Sequence, residues 1–399
     1  MILVGVSGGI AAYKTCELVR LLVRAGRDVQ VVMTPDAERF VGATTFAALS
    51  RRPVLTESSA DVFPHLEASR EAELFCVAPA GANTLARIAR GEAPNVLTQS
   101  ALAFGGPLLL APAMNPRMWE SPATRENVAL LEARGVELVG PGSGEMAEGE
   151  HGRGRMAEPD EIAARIEQRL ATMASLAGRR MVVTAGGTRE PLDVVRYLGN
   201  RSSGRMGVAV ADEAARRGAA VTLLLAAAIA SPSAPMRTVR VETAAELRAA
   251  TLREAETADI VVMAAAVADY RPAAPVAGKR TKGEDAWLVE LEPTTDILAE
   301  LGAARRAGTT LVGFAAEHGD GAVERARDKL RRKGADMIVV NDISRSDIGF
   351  DSDLNEVVLV TSNDETLVSR RSKQACAAAI LDWVANRPAS AAVEQRTTV

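Results

Sequence analysis

A chain of 399 residues outgrows a single hydrophobic core, so two or more domains are expected. Its 47% apolar and 25% charged residues are a globular composition, and the formal net charge of -4 gives no general pull toward nucleic acid, which leaves small molecules as the expected partners. The three cysteines, Cys16, Cys76 and Cys376, stand far apart without a CxxC pair, which argues against a disulfide framework or a thiolate metal site and fits a reducing cytoplasm.

No basic segment followed by an apolar run opens the chain. The longest apolar run, residues 219–230 broken only by Thr222, is too short to span a bilayer, so neither export nor membrane embedding is expected. From the N-terminus, apolar β-runs alternate with helical patterns. Strands are expected at 2–6, 29–33, 74–78, 107–111 and 136–139, and helices at 16–25 and 124–134 closing on the C′ glycines Gly26 and Gly135. This alternation predicts a parallel sheet covered on both faces, with functional residues just after strand ends.

A helix at 160–174 leads through a small, polar linker into a second round of the pattern. Strands are expected at 181–184, 220–225, 260–264, 310–314 and 337–340. A hairpin-like pair follows at 356–361 and 365–369, then a closing helix at 373–384. The expected domains are 1–174 and 175–385, with a tail at 386–399 whose small and polar residues predict disorder.

Each half opens on a glycine turn after its first strand, Gly8-Gly9 and Gly186-Gly187. Such a turn lets backbone approach an anion, and a following helix N-terminus adds unpaired N–H groups and a positive dipole end; a plain tight turn is the competing reading. The full G-x-G-x-x-G spacing is missing from both. Neither second strand ends directly in an acidic residue, since Thr34 follows one and Ala226 the other. A mononucleotide ligand fits better than a dinucleotide, and a two-Rossmann NAD-type dehydrogenase stays as a rival that a flavin spectrum on purification would dispose of.

Longer motifs extend these turns. In the first half they are Ser7-Gly-Gly-Ile-Ala-Ala-Tyr-Lys14, Pro64-His-Leu66, Ala78-Pro-Ala-Gly-Ala-Asn-Thr84, Pro112-Ala-Met-Asn-Pro-Arg-Met-Trp119 and Gly152-Arg-Gly-Arg-Met156. In the second they are Thr184-Ala-Gly-Gly-Thr-Arg-Glu-Pro-Leu-Asp193, Val195-Arg-Tyr-Leu-Gly-Asn-Arg-Ser-Ser-Gly-Arg-Met-Gly207, Ala264-Ala-Ala-Val-Ala-Asp-Tyr-Arg271, Lys279-Arg-Thr-Lys282 and Gly313-Phe-Ala-Ala-Glu317. In this order, over residues 1 to about 385, the chain resembles the bacterial bifunctional enzymes of coenzyme A synthesis, phosphopantothenoylcysteine decarboxylase fused to phosphopantothenate-cysteine ligase. The resemblance implies two doubly wound, mainly parallel α/β domains, a flavodoxin-like flavoprotein domain followed by a Rossmann-like ligase domain.

For the first domain the resemblance implies FMN, which oxidises the substrate's cysteine thiol so that carbon dioxide can leave and then returns the electrons. It places the flavin against Ser7, Gly8, Gly9, Ile10, Ala11, Thr34, Ala78, Pro79, Ala80, Asn83 and Ser100. His65 matches the family's essential histidine, an imidazole able to take the thiol proton; a surface-loop histidine is the plain alternative. Asn115 has donors and an acceptor for the substrate carboxylate, or serves as a helix N-cap before Pro116. Met118 and Arg155 stand in substrate-side motifs, Met118 equally as packing. The family often carries Ala-Cys-Gly before Gly-x-Gly-Arg-Met, in a segment read as a lid; here Glu148 replaces that cysteine, as a proton donor or as an ordinary loop residue. That departure keeps open a rival, a flavin-binding regulatory subunit with an inactive decarboxylase domain.

For the second domain it implies ligation of 4′-phosphopantothenate with cysteine through an acyl-cytidylate, with CTP and Mg2+. Anions meeting at an α-phosphate require cations. Lys279, Lys282, Lys329 and Lys333 are the candidates, the last two at i, i+4 on one helical face, where a solvated basic face is the alternative. Gly186, Gly187, Ala266, Thr294, Thr295, Asp296, Ile297 and Phe314 complete the nucleotide set, and Asp269 is the metal or base contact. Arg196 and Asn200 are tied to the second half-reaction, and Ser202, Ser203 and Gly204 offer phosphate donors or a helix cap. The residues leave CTP against ATP open. The family's shared flavin sites imply a homo-oligomer.

Overall fold

The computed structural model describes residues 1–59, 63–146, 149–282, 285–317, 319, 321–342, 352 and 354–387. It falls into two units, Met1–Thr172 and Met173 onward.

In the first unit, β1 (Ile2–Val6), β2 (Val29–Met33), β3 (Leu74–Ala80), β4 (Leu108–Pro112) and β5 (Glu137–Leu138) form one sheet in the order β2-β1-β3-β4-β5, every pair parallel. This is the flavodoxin-like order. β1 and β2 are buried at every position, as strands covered by helices on both faces must be. Leu3, Phe75, Val77, Leu85, Leu97 and Leu110 pack into one cluster on one face, each fully buried. Full burial of such side chains contributes about 1.5–3 kcal/mol apiece before entropy is counted. The first helix, Ala12–Arg24, starts four residues before the expected one, and Gly26 and Gly135 follow their helices with positive φ as expected. An antiparallel hairpin, β6 (Gly142–Glu145) and β7 (His151–Arg155), stands apart from the sheet.

The second unit is built on β8 (Arg180–Ala185), with a short pair β9 (Arg189–Pro191) and β10 (Tyr197–Gly199) beside its exit. Then come β11 (Ala220–Leu225), β12 (Arg237–Arg240), β13 (Ile260–Met263), a second small pair β14 (Tyr270–Pro272) and β15 (Leu291–Pro293), β16 (Thr310–Glu317), β17 (Met337–Asp342), β18 (Leu354–Val360) and β19 (Glu365–Ser372). The main sheet runs β12-β11-β8-β13-β16-β17-β18-β19, parallel through β17 and antiparallel for the last two. Its first six strands follow the 3-2-1-4-5-6 Rossmann order. Period-2 alternation divides the strands between two cores. Val183, Leu223 and Val262 face the helices Arg205–Arg216 and Lys373–Ala385, while Val182, Leu224 and Val261 face those containing Leu247, Leu298 and Leu330. Strand β12 escaped the sequence pattern because its four residues, Arg-Thr-Val-Arg, are exposed or half-buried at the sheet edge.

Two candidate functional sites

In the first unit, the connection leaving β1 goes to β2 on one side and that leaving β3 goes to β4 on the other, so a crevice opens at the carboxyl ends of β1 and β3. A cavity of about 490 Å³ lies there, lined by Gly8, by Thr34 to Asp36, by Gly81 to Thr84 and by Ala113, Met114 and Met118. Gly8 alone of the turn after β1 lines it, with Gly9, Ile10 and Ala11 outside the lining, and backbone donors stand beside it. The helices Ala12–Arg24 and Ala82–Arg90 both begin without a side-chain cap, and the N–H groups of Gly9, Ile10 and Ala11 reach no acceptor among the described residues. A Cβ on Gly8 would stand 2.5 Å from Asp36 Cβ, so a side chain there would push the turn off the second strand's end.

Five expected flavin contacts make bonds within the fold. The Ser7 hydroxyl donates to Pro79 O at 2.8 Å and accepts from Gly81 N at 3.1 Å, bolting the exits of β1 and β3 together rather than presenting itself to an anion. Ser100 is fully buried, does not line the cavity, and donates to Val96 O within its own helix. Ala78, Pro79 and Ala80 are buried members of β3, and their carbonyls accept from Thr15, Ser7 and Ala113. Thr34 caps Pro35–Glu38 by accepting from Ala37 N at 3.3 Å, and Asn83 is exposed in the first turn of its helix; both line the cavity.

Asn115 does cap a helix, accepting from Arg117 N at 2.9 Å, but its amide nitrogen donates to Glu150 Oε2 at 3.0 Å. Glu150 also pairs with Arg117 at 3.1 Å. The amide is thereby oriented from both ends, with one N–H still to offer. Glu150 comes from the β6–β7 hairpin, and the glycines of β7 explain how the hairpin reaches this loop. A Cβ on Gly154 would meet Met114 O at 2.2 Å, and one on Gly152 would meet Pro116 at 2.8 Å. Gly154→Ala is expected to lift the hairpin off this loop and to speed amide hydrogen exchange of β7 by at least about tenfold; native-state hydrogen exchange checks it. Arg155 pairs with Glu158, which also holds the buried Lys14 at 2.8 Å. His65 is half-buried on Pro64–Glu71, its ring edge-to-face with Phe63, and does not line the cavity. Glu148 lies outside the described residues. Burial pushes the Cys76 thiol up to about 12, which leaves it inert.

The second unit has a larger cavity, about 750 Å³, at the carboxyl ends of β13 and β16 and the start of the helix Arg205–Arg216. It brings together most of the expected nucleotide and substrate residues: Asn200, Ser202 to Gly204, Ala266, Asp269, Thr294 to Ile297, Phe314, Lys329 and Lys333. Thr294 is fixed by its hydroxyl to Ala268 O at 2.6 Å, and Asp296 caps the next helix while pairing with Lys333. Lys329 donates to Phe314 O at 2.9 Å. Burial pushes its ammonium below the usual lysine range, opposed by Glu317 and Asp269. Among the described residues no group of three or more His, Cys, Asp or Glu converges on a metal position.

The glycine turn after β8 stands outside the cavity lining. Gly187 N donates to Ala227 O and Gly186 O accepts from Ala266 N, so the turn is spent bridging neighbouring strands, and neither glycine lines the cavity. Gly186 has φ +88°, and its Cβ would meet Ala227 O at 2.7 Å, which is why glycine stands there. The N-terminus facing the cavity is instead that of Arg205–Arg216, preceded by Gly204 at φ +74°.

Arg196, Lys279 and Lys282 also stand outside the cavity lining. Asp193 ties their two segments together, accepting from Val195 N, Arg196 N, Arg280 N and the Arg196 guanidinium. Burial pushes its carboxyl up, but these donors outweigh that and hold it at about 2. Its contribution to folding is therefore present above the unfolded value of 3.8 and lost as pH falls through about 2. Arg280 and Arg196 stack on Trp287 at 4.8 and 5.7 Å. Sequence reasoning missed Glu150, and also Asn341, Asn355 and Lys373 in the second cavity wall. The readable sign was a polar residue at an inward position of an otherwise apolar strand, Asn355 in Leu-Asn-Glu-Val-Val-Leu-Val.

A flavodoxin-ordered sheet and a Rossmann-ordered sheet, each with an anion-accepting crevice at its carboxyl edge, define a two-unit α/β flavoprotein enzyme. Residues 1–171 match the family model described as Flavoprotein, and 176–387 match DNA/pantothenate metabolism flavoprotein C-terminal domain. The coenzyme A biosynthesis bifunctional protein CoaBC of Mycobacterium tuberculosis (strain H37Rv) is 45% identical over 96% of each chain. That of Bacillus subtilis (strain 168) is 41% identical over 90% of this chain and 89% of its own. A crystal structure of the C-terminal domain of a CoaBC protein, 35% identical, covers 53% of this chain and 96% of that one with a TM-score of 0.46. The chain belongs to the family of bifunctional coenzyme A biosynthesis proteins. No helix among the described residues is long and apolar enough to cross a membrane.

Proposed function

We propose that this enzyme joins 4′-phosphopantothenate to cysteine with CTP in its second unit and decarboxylates the product in its first. The observation that carries the reading is the convergence of Asp269, Thr294 to Ile297, Phe314, Lys329 and Lys333 with Ser202 to Gly204 on one cavity, in a chain whose other unit has its own crevice. Full-length likeness to bifunctional relatives weighs against an inactive regulatory subunit.

In the ligase half, the 4′-phosphopantothenate carboxylate attacks the α-phosphorus, forming an acyl–phosphate bond as pyrophosphate leaves. The cysteine amine then forms the amide and releases CMP. Lys329 and Lys333 offset the triphosphate charge, and Phe314 stacks on the base. Lys279 acts in forming the acyl-cytidylate, and Arg196 and Asn200 act on the transfer to cysteine, from segments that Asp193 and Val267 hold in place, Asn200 Nδ2 donating to Val267 O at 2.9 Å. One carboxylate, Asp269, suits Mg2+, which keeps most of its waters and takes the rest of its shell from phosphates. Chelation with EDTA is therefore expected to stop CTP-dependent pyrophosphate release while carbon dioxide release continues. Loss of neither on chelation argues against the metal.

In the decarboxylase half, the uncapped helix starts, Thr34 and Asn83 suit the phosphate and polar ring edge of FMN, and the cavity accepts a ring system. FMN, when bound, supplies two-electron oxidation of the substrate thiol and its reversal. His65 takes the thiol proton, and Asn115 donates its remaining N–H to the substrate carboxylate with Glu150 fixing the amide. His65 stands away from the cavity of its own chain, which supports a homo-oligomer in which a neighbouring subunit completes the site. Glu148 is retained as the candidate proton donor in place of the family cysteine. Cytoplasmic residence follows from the metabolic role.

A further inference from the structure

The connection between β14 and β15, residues 273–290, carries Lys279 and Lys282 and is far longer than a hairpin turn needs. Its outgoing arm is pinned to the turn that holds Arg196. Val276 N donates to Leu192 O at 3.0 Å, Arg280 N donates to Asp193 Oδ2 at 3.2 Å, and the Arg196 guanidinium donates to Arg280 O, also at 3.2 Å. The returning arm is held by a side chain instead. The Trp287 ring has the Arg280 guanidinium over it at 4.8 Å and that of Arg196 at 5.7 Å. Trp287 is half-buried, whereas the other described residues of its arm, 285–290, are exposed, Leu288 at 91%. Two guanidiniums brought together repel one another. The negative face of the indole and the Asp193 carboxylate offset that repulsion.

We infer that Trp287 is a positioning residue of the ligase reaction: stacked on Arg280 and Arg196, it closes the 273–290 connection on the Asp193 turn and so fixes Lys279, the chain neighbour of Arg280, relative to Arg196. The inference rests on the ligase reading, in which Lys279 and Arg196 serve successive half-reactions, and deepens it by naming the group that holds the two together. Trp287 stands outside the lining of the larger cavity. Its loss therefore leaves CTP binding alone and acts on turnover, because only molecules with the connection closed hold Lys279 in place.

Steady-state pyrophosphate release by the full chain with CTP, 4′-phosphopantothenate and cysteine tests this. Trp287→Leu is expected to lower kcat by about tenfold while KM for CTP stays within about twofold of wild type, and Trp287→Phe, which keeps a ring face, is expected to recover most of the rate. Trypsin should cut after Arg280 and Lys282 about tenfold faster in Trp287→Leu and near the wild-type rate in Trp287→Phe, as read by mass spectrometry of the fragments. If Trp287→Leu does not fold, Arg280→Met, at an exposed position, carries the test with the same split between kcat and KM. An unchanged kcat, a loss that falls on KM for CTP instead, or a phenylalanine variant as slow as the leucine one overturns the positioning role while the ligase reading stands. A wild-type chain that releases no pyrophosphate from CTP sinks the ligase reading itself, and this inference with it.

Discussion

Lys329→Met is expected to reduce CTP-dependent pyrophosphate release by about 100-fold or more, the scale seen when one preorganised charge donor is removed from a water-poor site. The argument is local. Lys329 is held by Phe314 O at 2.9 Å, its ammonium is desolvated, and it faces the cavity that Asp269 and Glu317 also line. A desolvated cation interacts with phosphate far more strongly than a solvated one, because little water competes for it. Lys333 differs, since Asp296 already neutralises it, and its removal should cost less. Methionine keeps the stem's apolar packing, so the fold should survive. Carbon dioxide release from phosphopantothenoylcysteine by the same variant should stay at the wild-type rate. An unimpaired pyrophosphate release would place the triphosphate elsewhere.

His65→Asn is expected to lower carbon dioxide release by about 10²–10⁴-fold, the range for loss of a general acid–base group, with the flavin absorbance and pyrophosphate release intact. The histidine sits at the second position of Pro64–Glu71, with Ser69 donating to its carbonyl, so the backbone that carries it is anchored while the ring makes no hydrogen bond among the described residues. Asparagine keeps the polar volume without the titratable ring. A variant that decarboxylates at the normal rate would remove His65 from the chemistry and return it to the surface-loop reading.

Strand positions, the C′ glycines and the terminal hairpin were legible because each depends on contacts within a few residues: period-2 burial, a positive-φ stop, a short turn. β11 ran from Ala220 to Leu225 as expected, and β18 and β19 paired antiparallel within a few residues of the expected ends. The site was legible where a residue's place after or near the end of a strand fixed its direction, as for Asp269 and Thr294 after β13 and β15 and Phe314 within β16. It was not legible where a distant neighbour decides what a polar group does. Gly186-Gly187 reads as a phosphate turn until Ala227 and Ala266 take its amide and carbonyl. Ser7 and Ser100 read as flavin donors until Pro79 and Val96 accept their protons. The β6–β7 hairpin read as a lid, yet its tight seating on Met114 through Gly154 appears only once both segments are placed in space.

Equal amounts of Lys329→Met and His65→Asn protein, mixed with 4′-phosphopantothenate, cysteine and CTP, put the separation of the two reactions to the test. Each variant alone should make almost no 4′-phosphopantetheine, and the mixture should recover it after a lag while free phosphopantothenoylcysteine builds up. A mixture as silent as its components, with each variant having lost both partial activities, would contradict two independent crevices serving consecutive steps.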